Sequence, residues 1–463
     1  MPIGKLAHLA RSANDNKGRI VRALGRAGRH GFWALADQGV ASLGSFGIFF
    51  ILGRAFARRD AMGEFGKFGM LFELMWFLNS MHAALVIYPL SVKGATTDRK
   101  TLARMCGVCV ILTLVLAPVI GGAALGTATI ISTLSVGFWA AAAAVTWQIQ
   151  ETTRRALMAE LRFRDAIVGD TIRYLGHVGA VAALSRTSAF SLSAVFALMT
   201  AASLLGAAVQ AVQLKLRLPR VPEVTRFGRE AWVLGRWVLA GNASGLSTNF
   251  LFSTNFYYWW GAETVGIAFA LNNLLRFTNP ILFAVSSLIT PHAARARVTS
   301  GLAASKRELL KFGALGVVLL SPYLGFVALF PSWCIRFATK PEYQQYRLVL
   351  VISVATQALI YVGQVLGVYL NAIERNRRAF IGQILYSSMF VVVGMPLCAK
   401  WGLMGAAVGG IFASIALVIA NLWAVETLPR HEGPETPRRD VTFKPDDPTV
   451  PAPVPTSAPA PAA

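Results

Sequence analysis

The chain has 463 residues, 55% hydrophobic and only 14% charged, with a mean hydropathy of +0.54. A soluble protein of this size would charge about a quarter of its residues, so that class is excluded. The net charge of +22, from 44 Lys and Arg against 22 Asp and Glu, would suit a nucleic-acid binder. Here, however, the basic residues are parcelled into short segments between apolar runs, where they orient a membrane protein.

Residues 1–31 form a basic arm with Lys5, Arg11, Lys17, Arg19, Arg22, Arg26 and Arg29 against the single acid Asp15. No apolar run follows soon enough for a cleaved signal peptide. Beyond the arm, apolar runs of roughly 20 residues recur to the end of the hydrophobic region, each able to cross about 30 Å of hydrocarbon as a helix. About twelve spans are predicted. They lie near 32–53, 68–92, 103–126, 128–149, 165–185, 188–212, 231–260, 264–291, 312–332, 347–370, 379–398 and 402–424. The expected division is a first six-helix bundle (32–214), a linker (215–230), a second six-helix bundle (231–428) and a Pro-rich tail (429–463). That tail holds nearly half of the 21 prolines and cannot bury a core. Most of the 44 Lys and Arg fall in segments on one side, which places both termini in the cytoplasm. The first connector on the far side, with Arg54, Arg58, Arg59 and Lys67, breaks that pattern. The cysteines Cys106, Cys109, Cys334 and Cys398 lie in or beside apolar runs, and the Cys106–Cys109 CxxC has no second pair to complete a metal site.

Two internal echoes organise the chain. RDAMGEFGKFGMLFELMWF (59–77) aligns with AETVGIAFALNNLLRFTNP (262–280), setting Gly63 on Gly266 and Glu73 on Arg276. MAELRFRDA (158–166) aligns with NAIERNRRA (371–379), setting Ala159 on Ala372, Arg162 on Arg375 and Arg164 on Arg377. Both carry a helix onto the one six later, which preserves orientation. The expectation is therefore a parallel repeat about an axis normal to the membrane, with a substrate cavity between the halves.

Charged or strongly polar groups inside a span are costly unless they face a wet cavity or a partner. Those within the predicted spans include Asp37, Gln38, Glu73, Asn79, His82, Asp170, Arg173, His177, Asn242, Asn249, Asn272, Asn273 and Arg276. Arg173 and Arg276 are the two cations among them. Each either engages an anion such as phosphate, which a guanidinium can hold with two parallel hydrogen bonds, or pairs with a nearby acid: Asp170 for Arg173, Glu73 for Arg276. His82 and His177 read as packed histidines. No phosphate-binding Gly-rich motif, GxSxG or HExxH occurs, and the connectors are too short for a catalytic domain, so an enzyme is not expected.

The stretch ADQGVASLGSFGIFFILGRAFARRDAMGEFGKF (36–68), with Arg54 followed by Gly63, Phe65 and Gly66, resembles the opening of Wzx-type polysaccharide flippases. GRWVLAGNASGLSTNFLFSTNFYYWWGAETVGIAFALNNLL (235–275) is similar to the start of that family's second half, and KWGLMGAAVGG (400–410) to its final helices. The family belongs to the superfamily that also holds drug–cation antiporters and lipid II flippases. The resemblance implies an all-α, MATE-like, V-shaped transporter of the bacterial inner membrane. It would move a polyprenyl-pyrophosphate-linked oligosaccharide between leaflets by alternating access, alongside other polysaccharide-assembly proteins. On that reading Arg276 and Arg173 engage the pyrophosphate. Asn79, Asn242, Asn249, Asn272 and Asn273 offer hydrogen bonds to sugars. Asp37, Glu73 and Asp170 gate, or couple to Na+ or H+ with no cofactor. Arg54, Arg58 and Arg59 contact the anion at the outer mouth. A drug–cation antiporter of the same superfamily is the alternative, and a membrane-embedded glycosyltransferase or polymerase the distant one.

Overall fold

The computed structural model describes Trp33 and residues 36–94, 97–373 and 375–428; the basic arm before Trp33 and the Pro-rich tail lie outside the described residues. Every element among them is helical. In chain order they are α1 (Ala36–Arg58) and α2 (Met62–Ser91), then α3 (Arg99–Ile131) and α4 (Leu134–Ala159). Next come α5 (Phe163–Asp170, a π turn at Thr171–Gly176, then His177–Leu184) and α6 (Leu192–Leu214).

The second half looks at first like fewer, longer rods. Val221–Arg276, Asn279–Leu329 and Met395–Glu426 are each interrupted by one glycine at positive φ: Gly261 (φ 79°), Gly301 (φ 79°) and Gly402 (φ 57°). A side chain resists this conformation, and glycine adopts it freely, so one residue suffices to turn the chain. Split there, the helices are α7 (221–260), α8 (262–300, bent at 277–278), α9 (302–329), α10 (Arg347–Ala372), α11 (376–401) and α12 (403–426). A short amphipathic helix, Pro331–Ala338, precedes α10. The expected twelve-helix, all-α membrane fold in two parallel six-helix repeats is what the structure shows. Among the described residues seven helices, with α11 and α12 counted as one continuous rod, are long and apolar enough to cross a bilayer by themselves. α4 and α5 fall short because they carry the polar cluster described below. The linker is shorter than the predicted 215–230: α7 begins at Val221, and only 215–220 is irregular, crossing α3 where Gly107 admits the Arg217 carbonyl. Asp98 caps α3 by accepting from the Lys100 and Thr101 amides at 3.0 and 3.3 Å. Hydrogen bonds from Thr101, then Lys100, hold its carboxyl below the ordinary value.

The repeat can be read from its packing. In the first half Gly169 of α5 leaves room for the Gln210 side chain of α6, 2.6 Å from where a Cβ would stand. In the second, Gly382 of α11 leaves room for Asn421 of α12, 2.1 Å from the corresponding point. The sixth helix of each half thus drives an amide into a glycine of the fifth. The alignment of Ala159 with Ala372 puts Gly169 on Gly382, so that echo is in register.

The other echo needs correction. α2 and the first turns of α8 run parallel and cross at Gly66 and Gly266 with reciprocal contacts. A Cβ on Gly66 would lie 2.8 Å from the Gly266 nitrogen and 1.9 Å from the Ala262 oxygen; one on Gly266 would lie 3.0 Å from the Gly66 nitrogen and 2.2 Å from the Met62 oxygen. The equivalent residues are Gly66 and Gly266, three positions from the alignment of Gly63 with Gly266. In the true register Glu73 matches Asn273, and Arg276 matches Trp76. Loose similarity between Gly-rich apolar helices tolerated the slip, whereas backbone contact does not.

We call the face where α1 begins proximal and the face where it ends distal. The α2–α8 crossing lies toward the distal end, and further contacts between the halves join it there: Lys340 pairs with Asp60, and Arg54 Nη1 donates to the Phe337 carbonyl at 3.2 Å. Gly66→Ala is expected to part the halves distally, because close helix approach in a bilayer depends on small residues. The check is the yield of a short bismaleimide cross-link between Asp60→Cys and Lys340→Cys, which Gly66→Ala should reduce several-fold while leaving the chain folded.

Candidate functional site

Below the crossing, between the halves, lies a cavity of about 830 Å³. α1 lends it Gln38 and Phe46, α2 Glu73, Trp76 and Asn79, α4 Trp147, Glu151, Arg154 and Arg155, and α5 Tyr174. From the second half come Phe250 of α7 and Arg276 and Phe277 of α8. It reaches from mid-depth toward the proximal face. A smaller cavity of about 210 Å³ in the second half shares Glu73 and is lined by Ser253, Asn272, Gln357 and Tyr386.

Arg276 stands over aromatic rings, its guanidinium carbon 4.6 Å from the Phe49 centroid and 6.0 Å from that of Phe269. Glu73 lines the same cavity but hydrogen-bonds to Ser253 instead. Among the described residues no carboxylate lies within ion-pair distance of Arg276, and no acceptor takes its N–H groups, so the pairing with Glu73 across the repeat is not made. Cation–π contact of this kind offsets part of the desolvation cost and leaves the donors available.

Arg173 is placed differently from expectation. It does not line the cavity. Its guanidinium is stacked on Trp147 at 4.8 Å and on Tyr174 at 4.3 Å, and those two rings face the space. Nor does it pair with Asp170, because Arg154 has taken that acid. Arg154 Nη2 donates to Asp37 Oδ2 at 2.7 Å, and Nη1 lies 3.2 Å from Glu151 Oε2. Nε lies 2.5 Å from Asp170 Oδ2, an ion contact without hydrogen-bond alignment. Asp170 Oδ1 accepts from Gln150 at 2.8 Å and from Gln210 at 3.1 Å. Arg155 Nε closes on Glu151 at 2.6 Å. Asp37 is 1% exposed, and Asp170 is 0% exposed.

The remaining predicted residues scatter. Asn79 lines the larger cavity with Oδ1 buried and unpartnered. Asn272 lines the smaller one. Asn242 donates to the Ser80 carbonyl at 3.0 Å, and Asn273 to the Phe46 carbonyl at 3.4 Å, so both serve as stitches between the halves. The Asn249 side chain lies outside the described residues. On the distal side Arg59 is spent on the carbonyls of Ser185, Thr187 and Phe190, tying α1 to the α5–α6 turn, while Arg58 is exposed. His82 bonds Thr113 at 2.8 Å and His177 the Val195 carbonyl at 3.3 Å, in keeping with packed histidines.

Sequence reading missed Arg154, Arg155, Glu151, Trp147 and Trp76. The signal was WQIQETTRR (147–155), whose residues 147, 151, 154 and 155 share one helical face. Because α4 runs on to Ala159, this run lies inside the bundle, whereas the predicted span stopped at 149.

No family model matches the chain, and no curated protein does. The solved structures it resembles include transporters and a lipid flippase. An inward-facing multidrug resistance MATE family transporter of the MOP superfamily superposes with a TM-score of 0.65 at 12% identity, over 83% of this chain and 94% of that one. The lipid II flippase MurJ in an inward closed conformation gives 0.64 at 13% identity, over 86% and 88%. A MOP superfamily transporter from Pyrococcus furiosus, described as having a binding pocket of reversed polarity, gives 0.54 at 12% identity, over 85% and 94%. The fold is therefore MATE-like, and the chain is a multi-pass membrane protein.

Removing a single partner from a buried charge cluster typically costs about 3–5 kcal/mol, because the remaining charges lose their compensation. Arg154→Ala would strand Asp37 and Asp170, and it should lower the melting temperature of the detergent-solubilised protein markedly. Arg155→Ala, whose side chain is 45% exposed, should change it little. Equal melting curves for both variants would show that the cluster contributes nothing to stability.

Proposed function

We propose that the chain is a flippase of the MOP superfamily that moves a polyprenyl-pyrophosphate-linked oligosaccharide, the repeat unit of a surface polysaccharide, across a bacterial inner membrane by alternating access. The observation that carries this reading is Arg276: a cation that, among the described residues, has no acid within ion-pair distance and no acceptor on it, facing a cavity of about 830 Å³ between the two halves. A pyrophosphate supplies what that guanidinium lacks. In the rest of the lining Arg154 and Arg155 balance Glu73 and Glu151, which leaves Arg276 as the cation in excess. The charge bias of the connectors supports a cytoplasmic proximal face, where such a substrate would be loaded. Likeness in fold to a lipid II flippase agrees with a lipid-linked substrate.

The competing reading is a drug–cation antiporter, favoured by the carboxylates around Arg154 and by the likeness in fold to multidrug transporters. Asp37, Glu73 and Asp170 would then carry the exchanged Na+ or H+.

Arg276→Ala should cut surface polysaccharide at least tenfold and make the lipid-linked repeat unit accumulate, while Arg276→Lys, which keeps charge but loses the fork, should keep part of the activity. Arg173→Ala should cost less, since Arg173 only backs the lining rings. Wild-type polysaccharide from Arg276→Ala, together with lost resistance to lipophilic cations, would establish the antiporter instead.

A further inference from the structure

Trp76 is the odd member of the cavity wall. Large aromatics inside membrane bundles are normally packed, yet Trp76 lines the cavity at mid-bundle with 49% of its surface exposed. It is held on one side by Trp147, ring centroids 6.0 Å apart. Trp147 is itself fixed by stacking on Phe72 at 5.6 Å and under Arg173 at 4.8 Å, so the platform beneath Trp76 is rigid. One turn to either side on α2, at the spacing that shares a helical face, stand Glu73 and Asn79.

Among the described residues, Asn79 Oδ1 and Trp147 Nε1 on this wall are buried and have no partner, the latter on a residue only 2% exposed. A buried donor and a buried acceptor left open beside an exposed ring suggest a ligand that brings both kinds of group, since each costs free energy while unpaired. A lipid tail brings neither. A lipophilic cation such as tetraphenylphosphonium would welcome the ring but brings no hydrogen-bonding group for either open atom. A pyranose brings both: one face of C–H groups, weak donors to the electron-rich face of an indole, and an edge of hydroxyls that donate and accept.

We propose that Glu73, Trp76 and Asn79 form a sugar subsite, in which a pyranose of the substrate stacks on the Trp76 indole and its hydroxyls bond Glu73, Asn79 Oδ1 and Trp147 Nε1. The proposal rests on the flippase reading and adds to it where the glycan sits. Pyrophosphate at Arg276 and sugar at Trp76 occupy matching positions of the two halves, since Trp76 and Arg276 are equivalent about the Gly66–Gly266 crossing.

The test uses the full chain in lipid nanodiscs with three probes: a polyprenyl pyrophosphate, the same carrier bearing a pyranose disaccharide, and tetraphenylphosphonium. The wild-type protein should bind the glycosylated carrier about tenfold more tightly than the bare one. Trp76→Ala should erase that preference while leaving bare-carrier binding and melting temperature unchanged, and Trp76→Phe should retain most of it. Equal loss for both carriers, no loss for either, or a loss confined to tetraphenylphosphonium would overturn the sugar subsite. Wild-type protein that binds neither carrier would instead overturn the flippase reading beneath it.

Discussion

The crossing of α2 and α8 at Gly66 and Gly266 is the contact on which the rest of the architecture turns. Lipid offers helices no hydrophobic reason to associate, so two membrane bundles stay together through close packing and polar stitches. Here the backbones themselves meet, which only residues without a side chain permit. Because the contact is reciprocal, it also sets the symmetry: one axis relates the bundles, and equivalent side chains face one another across it. Below this contact the same two helices line the cavity.

What fills the wall of that cavity follows from the cost of charge in a low-dielectric interior. The first half meets it with Arg154, which gathers Asp37, Glu151 and Asp170 from three helices. That cluster consumes most of its own charge and acts as a rigid keel. Arg276 is treated differently. Aromatic rings rather than carboxylates support it, so its donors remain available to a ligand. The contrast between a satisfied cation on α4 and an unsatisfied one on α8 separates framework from candidate binding site more clearly than burial does. Trp76 extends the same logic to a neutral group: it sits at the position matching Arg276 and is likewise left uncovered.

Much of the fold was legible in the residues alone. Apolar run length set the number of spans, since the thickness of the hydrocarbon core leaves little freedom. The turns at 158–166 and 371–379 carried enough arginines in fixed spacing to show the repeat in its correct register. The stretch 59–77 did not: glycine and phenylalanine recur so often there that a slip of three residues costs nothing in sequence similarity. In the structure the same slip would force a Cβ into a carbonyl oxygen. The candidate site was half legible. Arg276 and Asn79 were recognisable as polar groups out of place, but Arg154 and Glu151 looked like ordinary membrane-edge residues, because the end of α4 could not be located to within two turns.

The sequence by itself therefore determined the class of the molecule, its helix count, its doubling and which polar groups had to be explained, because each of these follows from hydrophobic length and local composition. Pairing was decided only in three dimensions. Arg173 and Arg154 compete for Asp170, Glu73 prefers Ser253 to Arg276, and Asn242 and Asn273 reach backbone carbonyls of the opposite half. Those choices depend on distances of a few ångströms between segments far apart in the chain, set by where two pairs of glycines allow helices to touch.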